Sequence, residues 1–149
     1  AAYPFLEKSL RVCKDHDLKS RILFIMGQIN QKDGDLKLAG NYYRQVIKRN
    51  PPFQMAFEAR LNLAMSYDAA NGNSKYVVNT LEKMAKKNQY HDFLDQIYFA
   101  LANVAEKNHQ DSLEIQYLKL SVSNSKDNKF QKSTSSLKLA GLLFDTGKY

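Results

Sequence analysis

Three histidines and one cysteine are the side chains of this sequence best suited to bind a metal ion or act as a nucleophile: His16, His91, His109 and Cys13. The histidines lie far apart, and none belongs to a pair with the spacing of a zinc site. The sequence also lacks the HExxH, CxxC and GxSxG motifs and has no glycine-rich loop after a strand. It therefore predicts histidines on surfaces or in turns, no metal, no cofactor and no enzymatic activity.

The charge pattern does not favour nucleic acid. The 22 Lys and Arg residues outnumber the 15 Asp and Glu residues, which gives a formal net charge of +7. Such an excess suits nucleic acid, anionic lipid or an acidic protein, but here the basic residues are scattered along every segment. Nucleic-acid binding would need clustered basic residues between exposed aromatics, and the nearest case, Tyr42-Tyr43-Arg44, includes a tyrosine that the repeat described below assigns to the core.

Cysteine content and hydropathy exclude two further classes of structure. Cys13 is alone, so there is no internal disulfide. No apolar run approaches the roughly 18 residues that a bilayer span requires. Neither a signal peptide nor an initiator methionine is present, so we expect a fragment of a longer protein.

The elements that would position functional side chains come from an internal repeat. Four segments align on a small residue that follows an apolar one, namely Gly27, Ala64, Ala100 and Ala140. In each, apolar residues recur at spacings of three and four, and after a polar break a second helical pattern follows in the first three. The pattern predicts helix pairs, each with an A helix and then a B helix, and places the small residue where the two approach closely. The B helices carry the apolar residues Ala39, Tyr43, Val46, Ile47, Val77, Val78, Leu81, Met84, Ala85, Ile115, Leu118 and Val122.

The turns of the first pair have recognisable signals. Gly34 is expected to end the A helix, Asp35 to cap the B helix, and Asn50, which precedes Pro51, to end it. Polar stretches at residues 71–74 and 107–111 are expected to occupy the same turn in the later pairs.

This pattern resembles the tetratricopeptide repeat (TPR) family. The matching residues are Leu23, Met26, Gly27, Gly34, Asp35, Ala39, Tyr43 and Pro51, while Asn30 departs from the usual aromatic. The resemblance implies an all-α fold, a right-handed α–α superhelix of about eight antiparallel helices. It implies one array over residues 1–149: the B helix of a preceding unit at 1–19, full units at 20–56, 57–92 and 93–132, and the A helix of a truncated unit at 133–149.

The resemblance also implies protein partners bound in a concave groove that the A helices line. The groove positions carried over from the family are Arg21, Phe24, Gln28, Leu61, Met65, Asp68, Ile97, Leu101 and Val104, with Gln31, Glu58, Leu94, Thr134, Leu137 and Gly141 beside them. The stripe becomes apolar toward the C-terminus and would suit an amphipathic or hydrophobic segment. In the other interpretation, some of these side chains, especially Phe24, Leu61 and Ile97, pack between neighbouring A helices.

Four phrases carry a closer resemblance, to the PorW/SprE-type TPR lipoproteins of the Bacteroidetes type IX secretion and gliding machinery: NPPFQMAFEARLNLA (50–64), NSKYVVNTLEKM (73–84), DQIYFALANVA (95–105) and STSSLKLAGLLFDTGKY (133–149). This resemblance implies a periplasmic scaffold that links ring proteins to the outer-membrane translocon. It also implies membrane attachment only through a lipidated N-terminus that these residues lack. Asp111-Ser112-Leu113 fits the short O-glycosylation pattern of such bacteria, or else Asp111 or Ser112 is a helix N-cap.

Three functional hypotheses follow from these observations. The first is a non-enzymatic protein–protein interaction scaffold. The second is a regulatory helical repeat module that binds a peptide or signal molecule and acts on an attached effector domain. The third is an enzyme fragment whose active site lies outside these residues.

Overall fold

A computed structural model describes residues 3–67 and 74–147, which form eight α-helices, one 3-10 helix and no strand. The helices are α1 (Tyr3–Val12), α2 (His16–Lys32), α3 (Leu36–Lys48), α4 (Phe53–Met65), α5 (Ser74–Ala85), α6 (Leu94–Lys107), α7 (Asp111–Asn124) and α8 (Lys129–Asp145), with the 3-10 helix (Asn88–Phe93) before α6. The all-α fold with about eight helices is confirmed. The chain divides into two compact units, unit 1 (Ala1–Gly72) and unit 2 (Asn73–Tyr149). The boundaries of the repeat units within the chain stay a prediction.

The turn between α2 and α3 follows the sequence signals. Gly34 adopts a φ of +87°, which glycine reaches without steric cost. The Asp35 side chain accepts a hydrogen bond from the backbone N–H of Leu38 at 2.9 Å and caps α3 as predicted. At the other end of α3, Asn50 has a φ of +48°. It therefore ends the helix from the left-handed region rather than from the extended region expected before a proline.

One predicted helix cap in unit 2 was wrong. Gln110 is the N-cap of α7, so Asp111 and Ser112 lie in the first turn instead of capping it. Asp111, one of two acidic residues in the first turn of α7, still complements the positive end of the helix dipole.

The core of unit 1 forms where α2 packs between α1 and α3, and α3 packs on α4. Its buried cluster contains Leu23, Phe24, Ala39, Tyr43, Val46, Ala59 and Leu63. A Cβ atom added to Gly27 would lie 2.7 Å from Cε1 of the fully buried Tyr43, so the predicted close approach of the A and B helices is confirmed here. Asn30, which stands where the family has an aromatic, is buried and donates to the Met26 carbonyl at 2.7 Å.

The core of unit 2 is centred on α6, which packs against α5, the 3-10 helix, α7 and α8. Ala100 is buried in α6, as Ala64 is in α4 of unit 1, and both agree with the predicted small-residue positions. Ala140 in α8 is exposed, and its predicted contact with a B helix stays a prediction, because the expected unit has only its A helix among these residues. Helix α8 packs on α7 and α6 through its other side, where Ser135 is buried.

Polar contacts fasten α8 to the rest of unit 2. The Ser121 hydroxyl donates to the Asp95 carbonyl at 2.7 Å and lies 2.7 Å from the Ser135 hydroxyl. The Lys138 ammonium lies 2.6 Å from Oε2 of Glu106 and 3.6 Å from Oε1 of the buried Glu114. No helix in the described part of the chain has the length and hydropathy of a membrane span.

Candidate partner-binding surfaces

The outer side of α2 presents a stripe of exposed side chains that we call the α2 face: Leu18, Arg21, Ile25 and Gln28. The Asp15 side chain accepts a hydrogen bond from the Leu18 backbone N–H at 2.8 Å, which begins α2 four residues before the predicted start of the unit. The four residues recur at spacings of three and four, so they share one side of the helix. Leu18 is 49% exposed and Ile25 is 43% exposed.

Two of these four residues were predicted groove positions, Arg21 and Gln28, and both are exposed. Phe24, a third, is buried with its ring edge-on to Tyr43 at a centroid distance of 5.7 Å. It was therefore wrongly placed in an exposed stripe and packs against the B helix α3, while packing between neighbouring A helices stays a prediction. Leu18 and Ile25 were missed, although their spacing from Arg21 and Gln28 was a signal that could have found them.

The groove residues predicted on α4 are half-buried. Glu58, Leu61 and Met65 follow one another at spacings of three and four, and Oε1 of Glu58 accepts a hydrogen bond from the Gln54 amide at 2.7 Å. Asp68 lies outside the described residues. Leu61 and Met65 thus offer part of their apolar surface to solvent, and their role in partner binding stays a prediction.

The predicted groove residues of α6 are not on a surface. Ile97, Leu101 and Val104 are fully buried, which corrects the expectation of an exposed apolar stripe in this part of the chain. The reason is the central position of α6, which four other elements contact. Leu94, nearer the start of the helix, is half-buried.

Helix α8 presents a second stripe, the α8 face, which consists of Phe130, Leu137, Ala140, Gly141 and Phe144. Leu137 and Gly141 were predicted groove positions, and both are exposed. Phe130, Leu137 and Phe144 are 83%, 75% and 75% exposed. The two phenylalanines were missed, although their seven-residue spacing from Leu137 places all three along one line of a helix.

The three histidine side chains are exposed to solvent. His16 and His91 are exposed, and their Nδ1 atoms lie 3.9 and 3.7 Å from the carboxylates of the following residues, Asp17 and Asp92. His109 is exposed in the turn before α7, so all three histidines lie on surfaces or in turns as predicted. Residues 3–67 and 74–147 hold no group of three or more His, Cys, Asp or Glu side chains placed to hold a metal ion.

Among the groups whose pKa burial raises, Tyr43 and Glu114 lie buried in the cores. Burial raises the pKa of the Tyr43 phenol to about 12, and that hydroxyl donates to Oε1 of Gln31 at 2.7 Å. Burial also raises the pKa of the Glu114 carboxyl, against the opposing effect of the Lys138 ammonium. Both groups hold helices together, since their partners lie on neighbouring elements or across a turn.

The sequence of residues 20–53 matches the family model of the tetratricopeptide repeat. The match supports the tetratricopeptide repeat family for this segment. The segment runs through α2 and α3 to the first residue of α4 and has the length of one such repeat, about 34 residues. TPR units stack into extended binding surfaces for other proteins, and the matched family is an interaction repeat rather than a catalytic one. No match was found among the curated proteins.

Proposed function

We propose that this chain is a non-enzymatic scaffold that binds another protein through the α2 face. The observation that carries the proposal is the exposure of Leu18 and Ile25 on a helix of the TPR whose other sides pack on α1 and α3. Apolar side chains in that position are not needed for the core of unit 1. Their removal from water by a partner is a source of binding energy.

The α2 face has the composition of a small protein interface. Covering the exposed parts of Leu18 and Ile25 would contribute about 1 kcal/mol each. Arg21 and Gln28 supply hydrogen-bond donors beside them, and arginine is enriched among the residues that dominate binding energies. The partly exposed Leu61 and Met65 offer a further apolar contact on α4. A short amphipathic or extended protein segment fits these features better than a small molecule does, because small molecules bind mainly in concave pockets.

We also propose a cellular setting for the chain. The four phrases that resemble PorW/SprE-type lipoproteins support a role in the type IX secretion and gliding machinery. In that setting the chain is part of a periplasmic protein at the outer membrane that connects ring proteins to the translocon. A lipidated N-terminus outside these 149 residues would provide the membrane attachment.

Site-specific photo-crosslinking in the native envelope tests both levels of the proposal. A photoreactive amino acid replaces Gln28 on the α2 face and, in a matched control, Gln45, which is exposed on α3 of the same repeat. Both variants keep the buried residues unchanged. We expect a crosslinked protein from position 28 and little or none from position 45, with mass spectrometry of the product to identify the partner.

The possible outcomes distinguish protein binding through the α2 face from the proposed role in secretion. Capture of a ring or translocon subunit at position 28 supports the whole proposal. Reproducible capture of one protein from another system keeps the scaffold and overturns the secretion role. Equal products from positions 28 and 45, or none from either, would overturn binding through the α2 face.

A further inference from the structure

A cleft in unit 2, which we call the Asp95 cleft, has a buried carboxylate in its wall. It lies where the 3-10 helix, the start of α6, the end of α7 and the loop before α8 meet, and its volume is about 310 Å³. Asp95 is 2% exposed, whereas Asp92 and Asp127 are exposed. The cleft thus combines three carboxylates with a single ammonium group. Its lining residues are His91, Asp92, Asp95, Asn124, Lys126, Asp127 and Asn128.

The hydrogen bonds within the chain satisfy only part of the Asp95 carboxylate. Its Oδ1 atom accepts a hydrogen bond from the backbone N–H of Gln96 at 2.9 Å, in the first turn of α6. Its Oδ2 atom lies 3.4 Å from the Ser125 hydroxyl. That hydroxyl has one hydrogen to donate, and it lies closer to the Ser121 carbonyl, at 2.9 Å. Oδ2 is therefore a buried acceptor without a strong donor.

The Asp95 carboxylate also lacks a cation. Buried ionised groups are normally paired, yet no ion pair of Asp95 is formed within the described part of the chain. Lys126 lines the same cleft but is exposed and makes no ion pair with Asp95. His91 is exposed, and its Nδ1 atom lies 3.7 Å from the carboxylate of Asp92. A cation from outside the chain would supply both the missing charge and the missing donor.

The dimensions of the cleft favour an organic cation over a metal ion. The described residues include no group of three or more His, Cys, Asp or Glu side chains placed to hold a metal ion. A space of about 310 Å³ lies at the lower end of the range of ligand pockets and admits a long side chain. A guanidinium group has five N–H donors in one plane and can bond several acceptors at once, whereas an ammonium group is compact.

A second acceptor is available in the same cleft. The Asn124 amide nitrogen donates to the Leu120 carbonyl at 2.8 Å, so the amide oxygen is the atom left for a ligand. Asn124 is the last residue of α7, where the negative end of the helix dipole favours a cation. Asn128 is already used, since its side chain accepts from the Gln131 backbone N–H and caps α8.

We infer that the Asp95 cleft binds the guanidinium group of an arginine side chain on a partner protein. The inference rests on the proposed scaffold function, which supplies the protein partner, and adds a site in unit 2 with a stated side-chain specificity. One guanidinium N–H donates to Oδ2 of Asp95 and another to the Asn124 amide oxygen. Asp92 and Asp127 add attraction at longer range.

Short capped glycine peptides with one central side chain test the inference on the full chain. The central residue is arginine, lysine or citrulline, which has the shape of arginine without its charge. Two-dimensional NMR follows the backbone amides of Gln96 and Ser125 and the side-chain amide of Asn124 during each titration. We expect the arginine peptide to shift these signals and to bind at least about tenfold more tightly than the citrulline peptide. It should also bind about threefold more tightly than the lysine peptide, and salt should weaken the binding.

Four variants locate the binding. Asp95→Asn keeps the size of the side chain and should weaken the arginine peptide at least about tenfold. The exposed carboxylate of Asp127 can be removed without disturbing the core, and Asp127→Asn should weaken the peptide about two- to threefold. Lys126→Ala should strengthen binding, because it removes a like charge. Asp111→Asn, at the opposite end of α7, is the matched control and should leave binding unchanged.

Thermal unfolding without peptide separates a binding role of Asp95 from a structural one. Asp95→Asn should be no less stable than the native chain, because it no longer buries an unpaired charge. A clear loss of stability with the arginine peptide still bound would assign the carboxylate to structure and overturn the inference.

Equal binding of the arginine and citrulline peptides, or of the arginine and lysine peptides, would also overturn it. The same holds if Asp95→Asn and Asp127→Asn both bind as the native chain does. Calcium chloride that shifts the same signals at a lower concentration than the peptide would assign the cleft to a metal ion instead. Crosslinking from position 28 reads α2 in unit 1, so a failure here with that crosslink intact leaves the proposed scaffold function standing.

Discussion

Helices α2 and α8 hold the same position in the repeat register but are fastened in different ways. Seven residues of α2 are buried, including Gly27, whereas Ser135 is the one buried residue of α8 among those described. Helix α2 packs on α1 and α3, while α8 packs on α7 and, more lightly, on α6. A small residue in register therefore marks a close helix contact only where another helix covers it.

Helix α2 is held mainly by close packing against the Tyr43 ring. The Tyr43 ring of α3 lies over Gly27 and edge-on to Phe24, and its hydroxyl bonds Gln31. A side chain at position 27 would compete with the ring for space. The contact combines burial, close packing and one hydrogen bond at a single aromatic residue.

Helix α8 is held largely by hydrogen bonds and ion pairs. Ser135 meets Ser121 of α7, and Lys138 reaches Asn103 and Glu106 of α6 as well as Glu114 of α7. Such contacts are directional, and each contributes modestly in net terms because water is displaced from both partners. Helix α8 is thus held on one side while its apolar stripe stays exposed on the other.

The largest expected effect on stability comes from removing the Tyr43 ring that packs on α2. Tyr43→Ala removes a fully buried ring and should lower the free energy of unfolding of unit 1 by about 3–5 kcal/mol. Leu137→Ala removes a mostly exposed side chain of α8 and should change stability by less than about 0.5 kcal/mol. Hydrogen exchange read by mass spectrometry, peptide by peptide, assigns each change to its unit. Losses of similar size would contradict the contrast between the two helices.

The same substitution at two glycines should give opposite signs. Gly27→Ala places a methyl group against Tyr43, and the cost of overpacking, about 1–3 kcal/mol, exceeds the gain of about 0.5–1 kcal/mol from replacing a helical glycine. Unit 1 should lose about 1–2 kcal/mol. At Gly141 the space is open, so Ala should stabilise α8 by about 0.5–1 kcal/mol.

Chemical denaturation with hydrogen exchange again separates the two units. A gain in stability at both glycines would mean that the Tyr43 ring moves aside easily. A loss at both would mean that the α8 face is covered in solution.

The helices and the turn of the first repeat could be predicted from the sequence because their signals are local. Apolar spacing of three and four, Gly34 with its positive φ and Asp35 as a cap depend on residues within one or two turns. The buried B-helix residues Tyr43 and Val46 also follow from spacing, since they share one side of α3.

The accessible surfaces could not be predicted in the same way. Ile97, Leu101 and Val104 do share a side of α6, but whether other elements cover that side depends on contacts distant in sequence. The same holds for Ala140, whose register position is covered in α2 and open in α8. Periodicity reports which residues point together, and only the packed structure reports what lies against them.

The smallest effect concerns pH and the polar fastening of α8. Burial raises the pKa of Glu114. The Lys138 ammonium opposes this rise, and the negative charges of Glu106 and Asp111 add to it. A raised folded-state pKa means that the folded state holds this proton more tightly than the unfolded chain. The contribution of Glu114 to stability is therefore greatest at low pH and is lost as the pH rises through the folded-state pKa.

Glu114→Gln removes that dependence, so the stability of the variant relative to the native chain should rise as the pH increases from about 4.5, the ordinary value of a glutamate, through the raised folded-state pKa. Urea denaturation of both proteins across this range, with hydrogen exchange to follow α7 and α8, measures the difference. Glu106→Gln is the control, because it removes the carboxylate nearest to Lys138, at 2.6 Å, and should weaken the attachment of α8 at neutral pH. If the native and Glu114→Gln curves run parallel with pH, the Lys138 contact balances the burial of Glu114, and the polar fastening of α8 is stronger than the pKa shift indicates.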